Sequence, residues 1–98
     1  YRVLERNVRL GRYEIDIIAR EGNTIAFVEV KTRRSADVAS PEVNVTITKR
    51  RHIRSAAHLY IQRYGDNETY YRFDVVSVLM PDHGKPQATL FRNAFPDA

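Results

Sequence analysis

No cysteine occurs among the 98 residues, so neither a disulfide framework nor a thiolate metal site can be built from this chain. No apolar run approaches the roughly 18 residues that a membrane span needs, and no signal-peptide pattern is present, which makes a soluble cytoplasmic protein the default expectation. The three histidines form no ligand set. His52 and His58 are too far round a helix to face one ion and His83 falls in a loop, so histidine-bound zinc is not expected. Repeats and low-complexity tracts are also missing. What is present is an ordinary globular composition, 43% hydrophobic, sized for one domain over residues 1–98 and not for two cores. The net charge of +4 and pI near 9.7 are compatible with a polyanionic partner. Located along the chain, the charge says more: basic residues gather at Lys31 to Arg34 and at Lys49 to Arg54, on either side of a loop, where a phosphate backbone can be gripped between them.

The most informative stretch runs from Tyr13 to Lys31. Apolar and polar residues alternate on both sides of Gly22-Asn23, the pattern of two strands joined by a tight turn. Alternation predicts that Glu14, Asp16 and Ile18 share one face of the first strand, opposite Ile15, Ile17 and Ala19. In the second strand Glu29 and Lys31 share a face with Ile25 and Phe27. A two-residue Gly-Asn loop then sets the register, so that Asp16 faces Glu29 and Glu14 faces Lys31. A slip of one residue would separate the acidic pair onto opposite faces.

Like charges facing each other in a sheet repel, and such a pair must raise a pKa, gain a cation or stay hydrated. A magnesium or manganese ion resolves the repulsion, since carboxylate oxygens with water and phosphate oxygens are its usual ligands. Lys31 adds a fixed positive charge at the same spot, suited to a phosphate oxygen or an attacking water. The competing reading of the same side chains is a solvated sheet face with surface salt bridges.

Asp16 followed by Glu29-Val30-Lys31 across a hairpin resembles the PD-(D/E)xK signature of restriction-endonuclease-like nucleases, with Ile15 at the motif's proline position. More specifically, Leu4-Glu5-Arg6-Asn7, Glu14-Ile15-Asp16-Ile17-Ile18-Ala19, Phe27-Val28-Glu29-Val30-Lys31-Thr32-Arg33 and Arg72-Phe73-Asp74-Val75-Val76 resemble the YraN family. That family is thought to be related to Holliday junction resolvases, and the likeness covers roughly residues 1 to 80. The resemblance implies a restriction-endonuclease-like fold, branched DNA as substrate and a homodimer. It implies Asp16, Glu29 and the Val30 carbonyl as metal ligands, with Lys31 and an auxiliary Glu14 in catalysis. It also implies a helix ahead of the first strand, which in the related resolvases carries a further acidic ligand; its absence here points to a truncated chain. The family tends to have glycine where Tyr13 stands, and Tyr13 either crowds the site or stacks on a base.

The rest of the chain completes an α/β reading. Residues 1 to 9 open on a strand, with Val3 and Tyr1 on one face and Leu4 on the other; Glu5 and Arg6 read as surface residues. Residues 35 to 45 lack a period and read as a loop, in which Ser40-Pro41-Glu42 can start a helical turn; the loop is either a substrate entry or a plain connector. From Thr48, a plausible N-cap, Ile53, Ala56, Ala57, Tyr60, Ile61 and Tyr64 recur at helical spacing up to Gly65. Lys49, Arg50, Arg51 and Arg54 in its first turns oppose the helix dipole, which leaves phosphate attraction or a solvated basic face as their reason. Residues 70 to 80 predict an inner strand buried on both faces, with Asp74 as a structural carboxylate paired to Arg72 or a helix arginine. Pro81 to Pro86 is a loop, and residues 88 to 95 add an edge strand with Leu90 and Phe91 on the core.

The expected molecule is therefore a mixed sheet with an N-terminal β-meander, one long helix and a following central strand. Its expected activity is metal-dependent hydrolysis of DNA, with Arg33, Arg34, Lys49 and Arg51 on the phosphates. A catalytically inactive nucleic-acid-binding module of the same fold is the first alternative; an adaptor whose basic face docks an acidic protein is another.

Overall fold

The computed structural model describes residues 1–34 and 45–95. Its elements are β1 (Arg2–Leu10), β2 (Tyr13–Glu21), β3 (Thr24–Arg34), α1 (Ile47–Tyr64), β4 (Tyr70–Met80) and β5 (Gln87–Phe91). The five strands lie side by side in chain order. Tight turns make β1, β2 and β3 an antiparallel meander, whereas β4 runs parallel to β3 because the chain crosses back through α1; β5 returns antiparallel. This is the mixed α/β architecture that the sequence leads one to expect. Ser40-Pro41-Glu42 and nearly all of the expected loop lie outside the described residues; Val45, at its end, is buried in the core.

The turn between β2 and β3 has two residues, as Glu21 pairs with Thr24. Gly22 alone takes a left-handed φ of 59°, and Asn23 does not. That combination belongs to a type II′ hairpin, whose twist suits the flanking strands.

α1 covers one sheet face. Its buried Ile53, Ala56, Ala57 and Tyr60 pack on Ile18, Ile25, Phe27, Phe73 and Val75. Phe27 meets Tyr60 edge-on at 5.7 Å, and Phe95, beyond β5, folds back to stack on Phe73 at 5.1 Å. The N-cap is Thr46 and not Thr48: Thr46 Oγ1 accepts the Lys49 backbone N–H at 3.1 Å. Either threonine has the right chemistry, and the buried Val45 beside Thr46 anchors the chain so that the earlier one is used. Gly65 ends the helix as expected, its N–H donating to the Ile61 carbonyl at 2.8 Å. Its φ of −75° is open to any residue; space is what requires glycine, since a Cβ there would lie 2.5 Å from that carbonyl oxygen.

Two expectations about faces need correction. Ile15 and Ile18 both enter the core, so strict alternation breaks between them and Asp16 does not simply share a face with Ile18. The irregularity spreads sideways: β1 slips register between Val3 and Glu5, and Asn7 adopts a φ of 51°. Nor is β4 buried on both faces along its length. Phe73, Asp74 and Val75 are buried, but Val76 and Val78 are only half-buried. The reason is an open apolar groove of about 270 Å³ on the sheet face away from α1, lined in part by Tyr1, Val3, Ile17, Val28, Val76 and Leu90. Leu90 is accordingly 40% exposed, while Phe91 packs on the core.

Asp74 holds the edge of that groove together. Fully buried, it accepts hydrogen bonds from the Tyr1 hydroxyl at 2.6 Å, Arg72 Nε at 3.0 Å and the Asn93 backbone N–H at 2.9 Å. Arg72 and Arg92 both pair with Glu21. A buried carboxylate supported by so many donors is a structural brace, in line with the expected partnership with Arg72.

Candidate active site

The β2–β3 register follows the two-residue turn from Glu21–Thr24 as far as Ile17–Val28, and there the ladder stops. The facing pairs Asp16–Glu29 and Glu14–Lys31 do not form as ladder pairs. The strands part instead, and Asp16 reaches into the gap, its Oδ2 accepting the Val30 backbone N–H at 2.8 Å. Glu29 continues the inward row of Ile25 and Phe27 under α1 and is only 7% exposed. Asp16 and Glu29 thus interact without forming a direct cross-strand pair.

Glu29 is held well above the ordinary carboxylate range. Burial pushes its carboxyl up from 4.5 to about 7, with the negative charge of Asp16 and a hydrogen bond between the two acids adding to the rise. Lys49 and, more weakly, Lys31 act in the opposite direction. Lys49 Nζ lies 3.7 Å from Glu29 Oε2, reaching down from the first turn of α1. Lys31 follows Glu29 on the same side of β3 and is half-buried.

Glu14 stays outside this group. Exposed on β2, it pairs with Arg9 of β1, because the parting of β2 from β3 leaves β1 as its ladder neighbour. Among the described residues no group of three or more histidine, cysteine or acidic side chains gathers as a ligand cluster. The donors that fit a divalent cation are two carboxylates, one of them desolvated, with the carbonyl of Val30, whose N–H Asp16 already holds. So small a set suits an ion that keeps several waters, as magnesium does.

The expected phosphate contacts come from the close of β3 and the opening of α1. Arg33 is half-buried and Arg34 exposed at the close of β3, and Lys49 and Arg51 are exposed at the opening of α1. Of these, Lys49 approaches the acids directly, through Glu29.

Three features of the site escape a reading of the sequence. Arg6 and Asn7, the former expected at the plain surface, join Asp16, Ile17 and Val30 around a recess of about 340 Å³. An asparagine inside a strand, a residue that tolerates positive φ, is the only signal that points there. Tyr13 stacks its ring on His52 of α1 at 4.0 Å and 12°. The Lys49–Glu29 pair depends on how the helix lies over the sheet, which no local pattern encodes.

Comparison with known proteins agrees with the motifs. The model of the family described as "Uncharacterised protein family UPF0102" matches residues 1–78. A UPF0102 protein of Caldicellulosiruptor saccharolyticus is 47% identical over 96 residues, spanning 97% of this chain and 81% of that protein. Others from Geotalea daltonii and Symbiobacterium thermophilum are 42% and 43% identical over 95 residues, covering 97% of this chain and 75% and 80% of theirs. With the matched motifs spread over β1 to β4, this chain belongs to the UPF0102 family, the YraN family that its sequence resembles.

Proposed function

We propose that this chain is a cytoplasmic endonuclease that uses magnesium or manganese to hydrolyse DNA phosphodiester bonds. The observation that carries the reading is the meeting of Asp16 and the buried Glu29 where β2 and β3 part, with Lys31 alongside. Two neighbouring acids, one of them out of water, are relieved either by a shared proton or by a cation, and a cation frees both carboxylates to act as ligands. Asp16, Glu29 and the Val30 carbonyl would hold it, and when bound it supplies Lewis-acid stabilisation of a phosphoryl oxygen and a more acidic water. Lys31 orients that water and balances negative charge developing on the phosphate. Arg33, Arg34, Lys49 and Arg51 bind flanking phosphates, fixing the backbone in the cleft. The resemblance to resolvases makes branched DNA the substrate class and a homodimer the working form.

The second reading is a binding module without catalysis. It is favoured by the small number of acids that converge among the described residues, Glu14 being turned away. Cleavage of labelled branched, single-stranded and duplex DNA with Mg²⁺ or Mn²⁺ separates the two. Wild type should cut at least one of these, and Asp16→Ala and Lys31→Ala should each lower the rate by roughly a hundredfold or more while remaining folded. Binding without any cleavage that responds to these substitutions would establish the module instead.

A further inference from the structure

The first turn of α1, Ile47-Thr48-Lys49-Arg50, carries no acidic residue and two basic ones, an arrangement that the helix dipole disfavours. For Lys49 the fold supplies a reason. Its ammonium lies 3.7 Å from Glu29 Oε2, with the glutamate side chain 9% exposed and the lysine side chain 45% exposed. One end of the pair is therefore fixed in the sheet and the other is free to swing into water. A long, flexible cation on the rim of an acidic pair can leave without disturbing the core.

We propose that Lys49 is a resident counter-ion of Glu29, which a divalent cation displaces on entry and which then turns outward to grip a nucleic-acid phosphate. This deepens the reading of Asp16 and Glu29 as metal ligands and rests on it. The lysine would have two effects of opposite sign: it competes with the metal for Glu29, and it strengthens binding of the polyanion. A phosphate contact that never touches Glu29 has only the second effect. A salt bridge that serves folding alone lacks the second.

The two effects can be read separately on the whole chain. Titration calorimetry with Mn²⁺ alone compares wild type, Lys49→Met and Glu29→Ala. Arg63→Gln serves as control, removing the same charge from an exposed site in the last turn of α1. That site is roughly 21 Å along the helix, beyond the screening length. Lys49→Met is expected to bind Mn²⁺ about five-fold more tightly than wild type, and Arg63→Gln to match wild type. Fluorescence anisotropy with a labelled DNA duplex in Ca²⁺ should show weaker binding by Lys49→Met, and a smaller gain in DNA affinity when Ca²⁺ is added. Thermal melting of each variant establishes that it is folded.

Unchanged or weaker Mn²⁺ binding by folded Lys49→Met would overturn the counter-ion role and leave the metal site standing. Unchanged DNA binding would overturn the transfer to phosphate. If wild type and Glu29→Ala respond identically to Mn²⁺, the metal reading fails and this inference fails with it.

Discussion

Two buried carboxylates do opposite work, and single substitutions should separate them. Glu29 titrates near 7 in the folded chain against 4.5 ordinarily, so the folded state holds its proton more tightly than the unfolded state does. The resulting stabilisation is complete below about pH 4.5 and is lost as pH rises through 7. Its size is on the order of 3 kcal/mol, from the two values. Urea melts across this range should show wild type weakening as pH climbs and Glu29→Gln varying less; identical slopes would remove the burial account of Glu29. Asp74 behaves differently. It is surrounded by donors from Arg72, Tyr1 and Asn93, and Asp74→Ala would leave the Asn93 backbone N–H and Arg72 Nε without their acceptor, with Glu21 still holding the other end of Arg72. A loss of about 3 kcal/mol or more is expected in the same melts. The sequence distinguishes these acids only in part. Asp74 stands out as a charge within Tyr70–Met80, and Arg72, two residues earlier, is an evident partner. The pairing of Glu29 with Lys49 is not evident, because it joins β3 to α1 across the fold.

Secondary elements were legible wherever one local pattern decided them. The Gly22-Asn23 turn, the alternation in β3 and the spacing of Ile53, Ala56, Ala57 and Tyr60 each fix an element without help from distant residues. Boundaries and interruptions were less legible, since tertiary packing chooses among locally equivalent options. Burial of Val45 selects Thr46 over Thr48, and the parting of β2 from β3 beyond Ile17 turns Glu14 away from Lys31. The two ends of α1 offer graded tests. Thr46→Ala removes a single side-chain cap and should cost about 1 kcal/mol. Gly65→Ala forces a Cβ to 2.5 Å from the Ile61 carbonyl and 2.7 Å from the Tyr71 hydroxyl, and should cost more than Thr46→Ala. Chemical denaturation of both variants provides the comparison; a milder effect at Gly65 would mean that the end of the helix relaxes without penalty.

Over the whole molecule, charge and apolar surface are divided between directions. Basic side chains stand at the close of β3 and the opening of α1, where Lys49 meets Glu29, and the apolar groove occupies the sheet face away from the helix. No helix among the described residues is long and apolar enough to cross a membrane. If the basic end holds DNA, replacing Arg33 and Arg34 together by glutamine should weaken binding for all sequences alike. It should also flatten the dependence of log affinity on log salt by about one for each phosphate that is no longer neutralised. An unaltered salt slope would move the DNA elsewhere on the surface. The parallel course of β3 and β4 has one more consequence, of practical kind. Tyr70 pairs with Thr24 at the turn end of the sheet and is 70% exposed, whereas Glu29 stands five positions farther along β3, roughly 17 Å away. A dye or surface tether attached at Tyr70 would therefore sit clear of the acids, close enough to report on a ligand arriving there and too distant to obstruct it.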